Sequence, residues 1–227
     1  MKKYQHDFIQ FAIQNNALLF GDFTLKSGRK SPYFFNSGQF ADGSALYQLG
    51  NFYADAIIEH FDKTEYNILF GPAYKGIQLA TVTSVGLHQK GISHVPVCYN
   101  RKEEKNHGEG GILVGCSLKD KKIILIDDVI SAGTTIRQIV PLIQQAQGKL
   151  VGIVIALDRQ EKGVRADRSL PTEFSAIQEV EQEFKLKVAS IIKLQHMIDY
   201  LKEASGKNVM TQSHLKAILA YQQQFGV

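Results

Sequence analysis

Residues 122–137 read K-I-I-L-I-D-D-V-I-S-A-G-T-T-I-R, and they hold the most concentrated chemistry in the chain. Residues 123–126 form a continuous apolar run, the pattern of a strand buried on both faces. The run ends abruptly in two carboxylates, Asp127 and Asp128, followed by a small, hydroxylated loop at 131–135. Ligands of open α/β sheets bind at such strand ends. The loop offers backbone N–H groups and the hydroxyls of Ser131, Thr134 and Thr135, and the helix expected after it adds the positive end of its dipole. Together these make a cradle for an anion. The two carboxylates would repel a bare phosphate, so they suit sugar hydroxyls or a cation. A phosphorylated ribose satisfies both halves. No G-x-x-x-x-G-K-[ST] string is present and no lysine follows Gly133, so nothing here grips the terminal phosphates of ATP. Paired acids after a strand also occur in receiver-type phosphoacceptor domains, and S-A-G-T-T also reads as an N-cap with a tight turn.

A second segment, residues 100–111, contains no apolar side chain and cannot pack into a core. Read alone it is a solvated hairpin tip. It also carries the cations Arg101, Lys102, Lys105 and His107 and the hinge glycines Gly108, Gly110 and Gly111. Loops of this type close over active sites and exclude water. Mobile cations would stabilise negative charge that develops in a transition state.

The elements that must position these groups follow from periodicity. Residues 4–19 read as an amphipathic helix, 20–38 as turns and short strands, and 47–61 as a second helix. A buried strand at 67–70 stops at Gly71-Pro72, a helix spans 76–90, and strands lie at 94–99 and 112–114. The signature strand and its helix reach about residue 147. Residues 150–157 form another buried strand, ending in Asp158-Arg159. Helix, strand and helix at 175–184, 188–192 and 197–203 precede a terminal helix at 214–225. This alternation predicts a mainly parallel sheet flanked by helices. No repeat, linker or low-complexity tract interrupts it, so residues 1–227 read as one domain.

Composition agrees. The 227 residues can bury a full core, and 44% hydrophobic with 21% charged residues is ordinary for a soluble globular chain. The longest apolar run is far too short to span a bilayer, and the first residues show no secretory signal. Cys98 and Cys116 have no metal-ligand spacing. They could face each other across a hairpin, but a reduced pair and a cytoplasmic location are the expectation. A net charge of +4 tolerates acidic small ligands and is too dispersed to argue nucleic-acid binding.

The stretch at 122–137 resembles the phosphoribosyl-diphosphate signature of the type I phosphoribosyltransferases. Three further strings resemble the orotate-using branch of that family: K-E-E-K-N-H-G-E-G-G at 102–111, F-T-L-K-S-G-R-K-S-P-Y-F-F-N at 23–36, and S-A-I-Q-E-V-E at 175–181. The resemblance covers nearly the whole chain. It implies the fold of that family, with a small N-terminal hood contributed largely by 1–40 and a long flexible catalytic loop at 100–111. It implies transfer of a phosphoribosyl group from 5-phosphoribosyl 1-diphosphate to orotate, a step of pyrimidine biosynthesis, in a homodimer whose active sites are shared between subunits.

The resemblance also assigns roles. Asp127 and Asp128 would hold the ribose hydroxyls, and Val129, Ile130, Ser131, Ala132, Gly133, Thr134 and Thr135 would wrap the 5′-phosphate. Tyr74 and Lys75 would contact the diphosphate, with a non-proline cis peptide at Ala73–Tyr74. Arg101, Lys105 and His107 would close on it, and Lys102 would reach in from the partner subunit. Phe34, Phe35, Ser131 and Arg159 would bind orotate, and Lys26 would sit between base and diphosphate. Mg²⁺ would be held mainly by substrate oxygens, with no dedicated protein metal site.

Each assignment has a plainer counterpart. Phe34 and Phe35 are adjacent, so in a strand only one can face a core. Tyr74-Lys75 alone is a surface pair, and Arg159 alone suits a structural pairing with Asp158. Ser131 stands where this branch more often has threonine, although the hydroxyl survives. An enzyme for another base would lack the 34–35 segment, and a non-catalytic sensor of phosphoribosyl diphosphate would lose the loop cations or gain a DNA-binding module.

Overall fold

The computed structural model describes residues 1–25, 28–105, 111–164, 171–205 and 209–227. Helix α1 (Lys3–Gln14) leads into a hairpin of β1 (Leu18–Thr24) and β2 (Lys30–Phe35). Then come α2 (Gly43–His60), β3 (Ile68–Gly71), α3 (Lys75–Gln89), β4 (Val97–Lys105), β5 (Gly111–Gly115), β6 (Lys122–Asp127) and α4 (Thr134–Gln145). The remainder is β7 (Lys149–Asp158), β8 (Lys162–Val164), β9 (Pro171–Ser175), α5 (Ala176–Phe184), β10 (Lys187–Lys193), α6 (Leu194–Ser205) and α7 (Val209–Phe225).

The central sheet has the order β10-β7-β6-β3-β4-β5 among the described residues. Its neighbours are parallel except for the antiparallel edge pair β4–β5. Side chains alternate across β6. Ile124 and Ile126 enter the core that also holds α1, α2, α3 and α6, while Ile123 and Leu125 enter the core under α4 and α5. Apolar helices on both faces are why β6 reads as an unbroken apolar run. Because β3, β6 and β7 run in one direction, Gly71, Asp127 and Asp158 finish at the same edge of the sheet.

Several boundaries differ from expectation for identifiable reasons. The first helix stops at Gln14 instead of running to residue 19, because Asn16 takes φ +55° and Leu18 begins β1. The stretch at 20–38 is a regular hairpin with a bulge between Phe20 and Phe23. The polar run at 100–111 begins as strand: β4 continues to Lys105, which pairs with Gly111. A sheet-edge hairpin needs only backbone pairing, so a charged sequence can adopt it. The antiparallel pair β8–β9 carries no strong sequence pattern and was not expected.

Candidate active site

The turn after β3 requires an unusually close backbone approach. A Cβ at Gly71 would lie 2.1 Å from the Gly76 carbonyl oxygen, and one at Gly76 would lie 2.5 Å from Pro72 Cδ. Glycine at both positions lets α3 start directly against the strand end. The Ala73–Tyr74 peptide in this turn is cis, where the resemblance places it. Asn100 Oδ1 accepts the Ala73 N–H at 3.0 Å and ties the turn to β4. Tyr74 is 71% exposed, and Lys75 projects from the first residue of α3.

Lys75 Nζ donates to Asp128 Oδ2 at 2.8 Å, so the turn after β3 meets the acid pair after β6. Asp128 is held on all sides. Ser37 donates its hydroxyl to the same oxygen at 2.7 Å, and Val129 donates its N–H to Oδ1 at 2.9 Å. The Asp128 carbonyl accepts from the N–H groups of Ala156 and Leu157 in β7. Asp127 is fixed in turn by Tyr53, a fully buried residue of α2 that donates its hydroxyl to the Asp127 carbonyl at 2.8 Å. Burial, with the charge of Asp128 beside it, pushes the Asp127 carboxyl up to about 7. Near neutral pH the pair therefore carries less than two full negative charges, which lowers its repulsion toward a phosphorylated ligand.

Past the acid pair, Gly133 takes φ +69° and caps α4 at its N-terminus. A Cβ there would approach Val180 Cγ2 to 2.9 Å, so both conformation and space favour glycine. Arg137, one turn into α4, donates to the Ala132 carbonyl at 2.6 Å and to Glu183 at 2.8 Å. The loop is thereby clamped between α4 and α5. Helix α5 starts on a capping box, in which Ser175 Oγ accepts the Gln178 N–H and Gln178 returns its side-chain oxygen to the Ser175 N–H.

The remaining expected site residues separate into groups. Lys102 Nζ lies 5.7 Å from the Tyr74 ring centroid, beside the same turn as Lys75. Arg101 donates to the Gly111 carbonyl at 3.1 Å and is engaged within its own hairpin. Lys105 ends β4. Lys26 and His107 lie outside the described residues. Phe35 is buried and packs on Phe8 with centroids 6.4 Å apart, whereas Phe34 is 37% exposed and stacks on Phe23. Any contact of Phe35 with a base must then use its backbone. Arg159 pairs with Glu161 at 2.8 Å and not with Asp158, whose carboxylate accepts the Gln160 N–H. Ser37, Tyr53, Asn100 and Glu161 had no local sequence signal, since each acts through a contact distant in the chain or through an ordinary-looking polar pair.

Two surface cavities lie away from the acid pair. One of about 340 Å³, lined by Asn67, Pro96 and Lys121 among others, opens where the strands begin. The strand-end residues Gly71, Asp127 and Asp158 line neither of them.

A mainly parallel sheet with an acid pair and a glycine-turned loop at its strand ends puts the candidate site where open α/β sheets bind their ligands. The chain belongs to the phosphoribosyltransferase family: the model of the phosphoribosyl transferase domain matches residues 36–189. The chain is similar over 227 residues, all of both chains, to the orotate phosphoribosyltransferases of Vibrio cholerae (51% identical) and Pseudoalteromonas translucida (52% identical). Its fold is similar to that of the Francisella tularensis orotate phosphoribosyltransferase crystal structure, with a TM-score of 0.84 and 38% identity over 97% of this chain and 100% of that one. These full-length likenesses put it in the orotate branch.

Proposed function

We propose that the protein transfers the phosphoribosyl group of 5-phosphoribosyl 1-diphosphate to orotate, forming orotidine 5′-monophosphate and diphosphate. The observation that carries this reading is the Asp127–Asp128 pair, pinned at the end of β6 beside an anion loop and Lys75, in a chain alike over its full length to orotate phosphoribosyltransferases. In this reading Asp127 and Asp128 bind the ribose 2- and 3-hydroxyls, and residues 129–135 bind the 5′-phosphate through N–H and hydroxyl donors. The Lys75 side chain is 57% exposed, so it can leave Asp128 and follow the diphosphate. Lys26, Tyr74, Arg101, Lys102, Lys105 and His107 complete the diphosphate side, and Phe34, Phe35, Ser131 and Arg159 the base side.

The chemistry asks for positioning more than for a nucleophile. The base nitrogen forms its bond to the anomeric carbon while the carbon–oxygen bond to diphosphate breaks, and the ring N–H proton passes to the departing diphosphate. Charge separates in the oxocarbenium-like transition state, and preorganised cations on the diphosphate side stabilise it. The departing diphosphate is basic enough to take up that proton, so no strong base is demanded of the protein.

Mg²⁺ fits this donor set. Two carboxylates lie at the strand ends, and no three His, Cys, Asp or Glu side chains come together among the described residues. Magnesium commonly uses one or two carboxylates with substrate phosphates and waters. Mg²⁺ would be held mainly by substrate oxygens and waters, with the acid pair close by on the ribose hydroxyls, and when bound it would neutralise diphosphate charge.

The reading extends to a C₂ homodimer in which Lys102 serves the partner's site. An exposed edge hairpin, β4–β5, supports that reach. A cytoplasmic location suits the free thiols of Cys98 and Cys116. Among the described residues no helix is long and apolar enough to cross a membrane. The direct test is product formation from orotate and phosphoribosyl diphosphate with Mg²⁺; a folded preparation that makes no orotidine monophosphate refutes the assignment. For the shared site, Lys102→Ala mixed with Asp128→Asn should regain activity after subunit exchange. Demonstrated heterodimers that stay inactive would remove the trans role of Lys102.

A further inference from the structure

Arg159 follows the end of β7, and its guanidinium is gripped on one edge. Nε donates to Glu161 Oε1 at 2.8 Å. Nη2 donates to Ser31 Oγ at 3.2 Å, to the Tyr221 hydroxyl at 3.3 Å and to Glu161 Oε2 at 3.4 Å. The plane lies over the Tyr33 ring, 4.5 Å from its centroid. Nη1 takes none of these bonds and makes no other hydrogen bond among the described residues. That nitrogen is the open edge of the group.

The grip is itself anchored. The Tyr221 hydroxyl also donates to Glu161 Oε2, while burial, together with Glu161, raises the phenol's pKa and keeps it a donor. Arg29 lies 3.5 Å from the same Glu161 oxygen, and its guanidinium lies over Phe225. The chain beyond α7 is stitched to the same segment: Gly226 forms a β-bridge with Glu161, and the Val227 N–H donates to the Gln160 carbonyl at 3.2 Å. The hood hairpin, the segment after β7 and the last helix thus converge on one guanidinium.

We propose that Glu161 and Tyr221 are positioning residues of the base pocket, fixing Arg159 so that Nη1 meets the anionic base. The proposal rests on the reading that Arg159 binds that base. A bare counter-ion could sit anywhere near two buried arginines. Here the carboxylate occupies Nε and Nη2 side by side, and Tyr221 bridges carboxylate and guanidinium, which fixes a plane as well as a charge. A donor held in place before binding loses less freedom when the ligand arrives.

The geometry and the plain electrostatics predict opposite signs. As a mere negative charge beside an anion site, Glu161 would weaken orotate binding, and removing it would tighten binding. As a positioning residue, its loss loosens binding. The test is steady-state kinetics of the full chain with orotate and phosphoribosyl diphosphate, comparing wild type, Tyr221→Phe, Glu161→Gln and Arg159→Ala. Tyr221→Phe keeps ring and volume and should raise the orotate KM about three- to tenfold, the scale of one buried hydrogen bond. Its kcat, phosphoribosyl-diphosphate KM and melting temperature should stay near wild type. Glu161→Gln should raise the orotate KM further, about tenfold or more. If Arg159→Ala raises the orotate KM while Tyr221→Phe leaves it unchanged or Glu161→Gln lowers it, the positioning role is wrong. If Arg159→Ala itself leaves the orotate KM unchanged, the base-binding reading of Arg159 fails first. Should Glu161→Gln not fold, Tyr221→Phe alone decides.

Discussion

In the proposed reading the two halves of the site, one for ribose phosphate and one for the base, are built differently. The ribose-phosphate half comes from one stretch, in which β6, the acid pair and the loop into α4 follow each other without a gap. The base half around Arg159 is gathered from Ser31 and Tyr33 in β2, Glu161 after β7 and Tyr221 in α7, spanning most of the chain. A phosphate is recognised by backbone N–H groups, which any small-residue loop can supply locally. A planar anionic base needs a side chain aimed in one direction, and aiming a long arginine takes partners from several elements. The contiguous half therefore announces itself in sequence and the assembled half does not.

The largest expected effect probes the assembled half. Uracil, which lacks the carboxylate of orotate, should be used at least about 10⁴-fold less efficiently, because the pocket's cationic donors would be left unpaired. Comparable kcat/KM for the two bases would mean that the base half is not built for an anion. Next comes the contiguous half. Asp128→Asn keeps shape but removes the charged acceptor shared by Lys75 and Ser37, and should weaken phosphoribosyl diphosphate by about 1.5–3 kcal/mol, ten- to hundredfold, with folding near wild type. Calorimetry that finds unchanged affinity refutes the role.

The smallest effect sharpens the difference by asking what preorganisation costs without ligand. The Asp127 carboxyl is raised to about 7 by burial and by Asp128. Its unfolded value is near 3.9. Between these values the folded state binds more protons than the unfolded, so its contribution to stability falls as pH rises from about 4 to 7, and the cost is complete above that. Asp127→Asn should therefore raise the melting temperature of the ligand-free protein at pH 8 by about 2–6 °C, a gain that fades toward pH 4. Thermal scans showing the same shift at every pH would contradict the burial argument. The same variant should bind phosphoribosyl diphosphate poorly, the trade between stability and function expected of a strained site.

Much of the molecule was readable before its shape was known. The alternation of buried strands and amphipathic helices has the periods that a parallel sheet covered on both faces imposes, so the sheet, the strand-end acids and the anion loop follow from local pattern. The position of Lys75 was readable because Gly71-Pro72 ends an apolar run. The end of the first helix was less so, since Asn15 and Asn16 end it by a turn that no apolar period marks. The β8–β9 hairpin was missed because two short strands with mixed side chains give no alternation long enough to detect.

By itself the sequence determined the class of sheet, the place of the acid pair and its loop on it and, through the strings at 23–36, 102–111 and 175–181, the branch of the family. These depend on residues adjacent in the chain or repeated at a fixed period, where backbone geometry alone decides who is neighbour to whom. The tertiary structure decided that Ser37 and Tyr53 hold the acid pair and that Arg159 answers to Glu161 and Tyr221 instead of Asp158. Those contacts join residues 60 or more positions apart, apart from the Arg159–Glu161 pair, whose geometry depends on Tyr221 and Arg29 closing around it. No local period encodes them, because they exist only once packing of the apolar faces has brought the elements together.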